Sequence, residues 1–342
     1  MPLRAFVNGQ EIIAPMLDEA QWESLRDSGA QVTLPCCGAE GYLRRSPLGT
    51  LHFAHKRGVH CDSSGETIHH LKAKADIVIA CQRAGYSALT EVTGDDWRAD
   101  VLAVQGTVRI AFEVQWSFLR LADAIYRQER YARDGVRGCW FFRNPPPQLL
   151  RGGDVKADPN LPLFHLYSNA DHTFSVAVNE RLYNLSEIVA ALLGGRLHFC
   201  KTARAGDESP QHLSLAPFEI ACPHCGRPTR VFYITPQLTA RCGRKFRLRD
   251  HPQAFALRPE VLAAALPLLA GDSRLGSVTA EGFHCVSCGK LLDQQAVEMA
   301  LYGTNRLASA EVIDLDLRLS RPIISGAPHW CFPDDGVFCC GK

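Results

Sequence analysis

Between residues 63 and 144 the alternation of apolar and polar positions changes period several times, and each change marks an element. Ile68, Leu71, Ala75 and Val78 recur at helical spacing and predict a helix over 65–84, ended by Gly85. Residues 86–93 suit a strand, and Gly94-Asp95-Asp96 a turn. Over 97–104, Ala99, Val101 and Ala103 oppose Arg98, Asp100 and Leu102, which predicts a second strand. Gln105-Gly106 reads as a hairpin-like turn into a third strand over 107–115. A helix over 119–134, closed by Gly135 at the position after its C-cap, precedes a fourth strand at 137–142. The order helix, three strands, helix, strand implies an α+β or α/β fold with a mixed sheet, because only the helical crossover supplies a parallel pairing.

The periodicity breaks at Asn144-Pro145-Pro146-Pro147 and again at Arg151-Gly152-Gly153-Asp154, so a domain boundary is expected there. Three regions result: a Cys/His-rich, β-rich module over 1–62, a core over 63–144, and a C-terminal zinc-ribbon-like domain over 151–342. A chain of 342 residues accommodates this division. The 46% of hydrophobic residues is enough for buried cores and argues against wholesale disorder. With a net charge of +1, any nucleic-acid contact must come from local patches. No basic-then-apolar leader opens the chain. The longest apolar stretch, 261–270, is about half of what a bilayer requires and contains Pro267. A soluble, cytoplasmic protein is expected.

Asp100 lies mid-strand, while Glu113 and Gln115 share one face of the next strand. A tight turn between these strands sets Asp100 opposite the Glu113 region. Two carboxylates in otherwise apolar surroundings are costly to bury without a partner. A hard cation such as Mg²⁺ or Mn²⁺ is a natural one, and a water on it can attack a phosphodiester. In the first helix Glu66, His70 and Lys74 are spaced four and four, on a face turned from the apolar stripe. Glu66 suits a further ligand, and His70 or Lys74 a contact to phosphate or water. Glu91 is another candidate. Alternatively the carboxylates pair with Arg98 or Arg109, and His70 and Lys74 are ordinary helix residues. Ser117 is expected to cap the helix that begins near Leu119.

These residues form an ordered set: Glu66-x-x-x-His70-x-x-x-Lys74, Glu91, Arg98-Ala-Asp100-Val101, Glu113-Val-Gln115-Trp-Ser117 and Arg127-x-x-x-Tyr131-x-x-x-Gly135, ending near Trp140. Upstream stands His52-Phe53-Ala54-His55. Over about residues 33–142 the set resembles the nuclease-like domain of the competence protein CoiA family. The resemblance implies a PD-(D/E)xK fold in which Asp100 and Glu113 bind Mg²⁺ or Mn²⁺. Gln115 stands where many such nucleases carry lysine; it can orient a water but adds no charge. Arg127 and Tyr131 would face the site from the second helix and reach nucleic acid.

Fourteen cysteines in a reducing compartment point to metal rather than disulfides. Cys222-Pro-His-Cys225-Gly and Cys285-Val-Ser-Cys288-Gly read as two zinc knuckles that together make a four-thiolate site. The intervening segment is long, so Cys242, Cys331, Cys339 and Cys340 are alternative ligands. Cys36-Cys37-Gly38, His52, His55, His60 and Cys61 suggest a first zinc site. Adjacent cysteines chelate poorly together, so Cys37, His55 and Cys61 are the expected set. Between the knuckles, Arg244, Lys245, Arg247 and Arg249 surround Phe246 in a patch suited to phosphates, or to a solvated edge strand.

The chain is therefore expected to be a metal-dependent phosphodiester hydrolase, an endonuclease acting on DNA more readily than RNA, with structural zinc. Competence, recombination or defence against foreign DNA would suit it. A helicase or ATPase partner is expected, since no Gly-x-x-x-x-Gly-Lys-Ser/Thr is present. A non-catalytic nucleic-acid-binding adaptor and a zinc-containing protein–protein scaffold are the competing expectations.

Overall fold

The computed structural model describes residues 2–58, 61, 66–151, 154–206, 210–234, 237–247, 252–302, 311–332 and 340. The chain forms two compact units, one of residues 1–199 with 329–332, the other of 200–328 with 333–342. Among the described residues no helix is long and apolar enough to cross a membrane.

The first unit opens with a small module. Strands β1 (Arg4–Val7), β2 (Gln10–Ile13) and β3 (Val32–Thr33) form one sheet, with helix α1 (Glu19–Asp27) between β2 and β3. Asp18 and Gln21 cap α1 reciprocally, each side chain accepting the other's backbone N–H. Strands β4 (Gly41–Arg45) and β5 (Leu51–His55) make an antiparallel pair. Trp22, Leu34 and Phe53 are buried at the centre of the module's own core.

Helix α2 (Ile68–Arg83) follows, then the meander β6 (Ser87–Thr93), β7 (Arg98–Gln105) and β8 (Val108–Gln115), helix α3 (Leu121–Arg133) and strand β9 (Arg137–Phe142). Each lies within three residues of its expected bounds. Gln105 pairs with Val108, so the β7–β8 loop holds two residues, and Gly106 supplies the positive φ of 56° that this loop requires. β9 pairs parallel with β8, as a right-handed helical crossover demands.

The sheet does not stop where a domain boundary was expected, near 144–151. After the short pair β10 (Leu150–Arg151) and β11 (Asp154–Val155), strand β12 (Leu163–Ser168) returns and pairs parallel with β9. β13 (Phe174–Val178) and β14 (Arg181–Asn184) continue it, giving seven strands in the order β14-β13-β12-β9-β8-β7-β6. The prolines at 145–147 thus mark a loop within one unit.

Alternation along the strands splits the core in two. Phe112, Val114, Cys139 and Phe141 point toward α2 and α4 (Leu185–Leu193). Ala111, Trp140 and Phe142 point toward α3. Both faces of the sheet are covered, which is why β9 reads as an almost unbroken apolar run.

In the second unit, strand Gln211–Ala221 is flanked antiparallel by Pro228–Ile234 and Ile313–Leu317. A hairpin of Gln237–Thr239 and Lys245–Arg247, and helices Pro252–Ala256 and Pro259–Leu269, fill the long stretch between the two cysteine pairs.

Candidate active site

The β7–β8 register ends with Val101 paired to Phe112, and just beyond it Asp100 lies close enough to Glu113 for its charge to act on that carboxyl. Glu113 is 2% exposed and points toward α3. There Arg127 and Tyr131, four apart on the inward stripe of α3, take its two oxygens: Arg127 at Oε2 and the Tyr131 hydroxyl at Oε1. Tyr131 also lies 2.8 Å from the Arg98 carbonyl. Asp100 has partners of its own. Its Oδ2 accepts from the Val114 amide at 2.9 Å and lies 3.1 Å from His70 Nε2.

α2 completes the arrangement. Thr67 caps it by accepting the His70 amide at 3.2 Å. Glu66, just before the cap, has Oε1 2.6 Å from Lys74 Nζ and 3.4 Å from His70 Nδ1. The face carrying Glu66, His70 and Lys74 was expected to turn away from the apolar stripe. Instead Lys74 is 1% exposed, because this helix is covered on both sides. Its ammonium sits between Glu66 and Glu91, and Glu91 also binds Arg98. Glu91 holds a left-handed φ of 55° within β6, at the point that faces Asp100 across the β6–β7 register. A backbone held there costs about 1–3 kcal/mol and persists only when its surroundings enforce it. Glu91, another candidate from the sequence, thus lies in ion-pair contact with Lys74 and Arg98.

The electrostatics divide the two facing carboxylates. Burial pushes Glu113 up, the neighbouring Asp100 charge adds to this, and Arg127 and Tyr131 offset only part, leaving it at about 8. Burial also works to raise Asp100, but the His70 hydrogen bond and charge, Lys74 and the Val114 amide outweigh it and hold Asp100 at about 2. Burial works against the Lys74 charge, yet Glu66, Glu91 and Asp100 raise its pKa. A phenol carries one hydrogen, and Tyr131 faces two acceptors. That hydrogen is placed to go to Glu113 Oε1 or to the Arg98 carbonyl.

Two expectations need correction. Tyr131 was assigned to nucleic acid, but it is wholly buried and serves Glu113. Arg127 shares that task, with its guanidinium 5.0 Å from the centre of the Trp140 ring. Ser117 does not cap α3, whose cap residue is Arg120, with no side-chain capping bond. It receives the Gln115 amide instead, at 3.0 Å on its carbonyl and 3.4 Å on its hydroxyl.

Cys222, Cys225, Cys285 and Cys288 converge, with all four Sγ atoms within 4.8 Å of one another. Cys222–Cys288 and Cys225–Cys285 are 3.8 and 3.7 Å apart. A tetrahedral zinc with bonds of about 2.3 Å requires sulfur–sulfur edges of about 3.8 Å. Gly226 and Gly289 adopt φ of 71° and 66° after each pair, and the His224 and Ser287 amides approach Cys222 and Cys285 at 3.4 Å. The Thr229 hydroxyl, chief among several donors, draws Cys285 down to about 5. The set could hold zinc, and no ligand from outside the two knuckles is needed. Cys242 and Cys340 lie apart from it, with their sulfurs 3.8 Å from each other. Cys331 is buried in the first unit.

In the N-terminal module Cys36, Cys37, His55 and Cys61 form another such group. Both adjacent cysteines reach it, where only Cys37 was expected. His52 does not: three residues from His55, it points to the opposite side of β5, where it is buried with Nδ1 3.2 Å from the Thr50 carbonyl. His60 and Cys339 lie outside the described residues. Lys245 and Arg247 project to solvent on either side of buried Phe246, with Arg244 half-buried beside them; Arg249 also lies outside the described residues.

Residues 66–181 match the family model of the competence protein CoiA nuclease-like domain. The matched segment, similar to that domain, takes in α2 and the sheet as far as the start of β14. A search of curated proteins found no match. Among solved structures, SfsA of Pyrococcus furiosus in complex with Ca²⁺ is 16% identical over 41% of this chain and 75% of its own, with a TM-score of 0.22. That superposition is too loose to bear on the chemistry.

Proposed function

We propose that the protein is a metal-dependent nuclease of the PD-(D/E)xK type acting on DNA. The observation that carries this reading is the facing pair Asp100 and Glu113, in which a buried carboxylate is pushed to about 8 beside an ionised one. Such a pair fits a divalent cation, and Asp100 and Glu113 would hold Mg²⁺ or Mn²⁺. When bound, the ion supplies charge for the phosphodiester and acidity for a water. Arg127 and Tyr131 orient Glu113. His70 and Lys74 fix Asp100, Glu66 and Glu91, and Gln115, aimed by Ser117, positions the attacking water. The exposed Lys245 and Arg247 provide substrate grip, and zinc on the knuckles gives the second unit rigidity. The match to a competence family suits work in DNA uptake, recombination or defence; a helicase or ATPase partner is proposed from the missing nucleotide-binding motif alone.

The test is cleavage of single- and double-stranded DNA with Mg²⁺, Mn²⁺ or EDTA. Wild type should cut with metal, and the Asp100→Ala/Glu113→Ala variant should not. One feature favours a second reading, an adaptor that binds without cutting: the residue at 115 is an amide already committed to Ser117. In that case wild type binds DNA without cleaving it, and Asp100→Ala changes nothing.

A further inference from the structure

Cys36, Cys37, His55 and Cys61 meet more narrowly than their grouping alone conveys. The sulfurs of Cys36 and Cys37 are 3.8 Å apart, and each lies 3.4 Å from His55 Nε2. Cys61 Sγ is within 4.8 Å of all three. A tetrahedral zinc with Zn–S of about 2.3 Å and Zn–N of about 2.0–2.1 Å has sulfur–sulfur edges of about 3.8 Å and sulfur–nitrogen edges of about 3.5 Å. The three edges given above agree with these. In an extended chain neighbouring side chains point to opposite sides, so two successive cysteines could not both serve. Here the Leu34 carbonyl accepts the amides of both Cys37 and Gly38, at 3.4 and 2.8 Å, and Gly38 adopts a φ of 69°. That turn brings both thiols to one side.

The positions of the ligands along the chain give the group a consequence. Cys36 and Cys37 lie between β3 and β4, and His55 ends β5. Cys61 stands five residues before Glu66, and Glu66 stands outside α2, before its cap at Thr67. The helical ladder therefore does not fix Glu66. Its carboxylate meets Lys74 and His70 of α2 from outside the helix. We infer that Cys36, Cys37, His55 and Cys61 bind one zinc ion, with both adjacent cysteines as ligands, and that this ion fastens the approach to α2 and so positions Glu66. The zinc assignment is independent of the nuclease reading; only the catalytic value of placing Glu66 rests on it.

The experiment uses the full chain. Bound zinc is counted by elemental analysis in wild type, Cys36→Ser, Cys37→Ser and the knuckle variant Cys285→Ser, and amide exchange is followed by mass spectrometry. Cys36→Ser and Cys37→Ser should each lose one equivalent of zinc. Exchange over the first turns of α2 should quicken by about tenfold or more in both, while strands 211–234 stay as in wild type. His55→Cys should keep the ion as a four-thiolate site, and its cobalt-substituted absorption should shift accordingly, which guards against misfolding as the cause of loss. Unchanged zinc in both serine variants overturns the site. Loss in only one overturns the shared ligation. Loss without faster exchange in α2 overturns the positioning role. A wild type that fails to cleave DNA would sink the nuclease reading and leave the zinc counts standing.

Discussion

Glu113 keeps its proton in the folded protein to about pH 8, whereas the unfolded chain releases it near 4.5. Between those values the native state holds more protons than the unfolded one, so this group costs stability as pH rises through that window. A cation at the carboxylate must displace the same proton. Divalent metal should therefore bind more tightly as pH rises toward about 8 and level off above it. Calorimetry in buffers of different ionisation heat should show close to one proton released per metal at pH 7 and far less at pH 9; a flat profile would remove Glu113 from the ligand set. Asp100, at about 2, stays ionised throughout and adds no slope in this range. Lys74 gives a second expectation. Lys74→Met leaves Glu66, Glu91 and Asp100 without their shared cation in a covered site, and should cost about 3–5 kcal/mol in chemical denaturation. A loss under about 1 kcal/mol would show an exposed pair instead. Asp100 and Glu113 could be read from the sequence because a period of two fixes which strand residues share a face. The depth of Lys74 could not, since a helix position is buried by whatever packs on it, and Leu3 and α4, which pack on α2, are distant in sequence.

At the scale of elements, α2 and α3 are held by local chemistry that a single change can probe. Thr67→Ala removes the hydroxyl that accepts the His70 amide and should cost about 1 kcal/mol, measured as a shift in the denaturation midpoint. Gly138 in β9 lies against α3, where an added Cβ would stand 2.0 Å from Gln128 Oε1, the atom that accepts the Trp140 indole at 2.8 Å. Gly138→Ala should displace Gln128, break that bond and cost about 1–3 kcal/mol. The same measurement in a Gln128→Ala background should show most of that cost gone; if it persists, the crowding lies elsewhere. From α2 to β9, type and order were legible because each segment carries its own period and ends on its own turn residue. The continuation into β12–β14 was not. Parallel pairing of β12 with β9 joins segments separated by a proline-rich loop, and such punctuation looks the same inside a sheet as between domains.

At the scale of the molecule, the two units have different sources of stability. The first carries large apolar clusters on both faces of a seven-stranded sheet. The second has a three-stranded sheet, several short strand pairs and a four-cysteine group that could hold a metal, whose binding would then add to its folding free energy. All five tryptophans, at 22, 97, 116, 140 and 330, lie in the first unit, so their fluorescence reports on it. In Cys222→Ser/Cys285→Ser, amide exchange across strands 211–234 should approach that of an unfolded chain, because the ends of both strands meet at Cys222 and its knuckle. Emission from the buried Trp22, Trp97 and Trp140 should stay at its wild-type wavelength, because their clusters draw nothing from those cysteines. A red shift together with faster exchange would mean that the first sheet depends on the metal-bound knuckles. Protection retained across 211–234 would mean that the second unit is stable without the four-thiolate site.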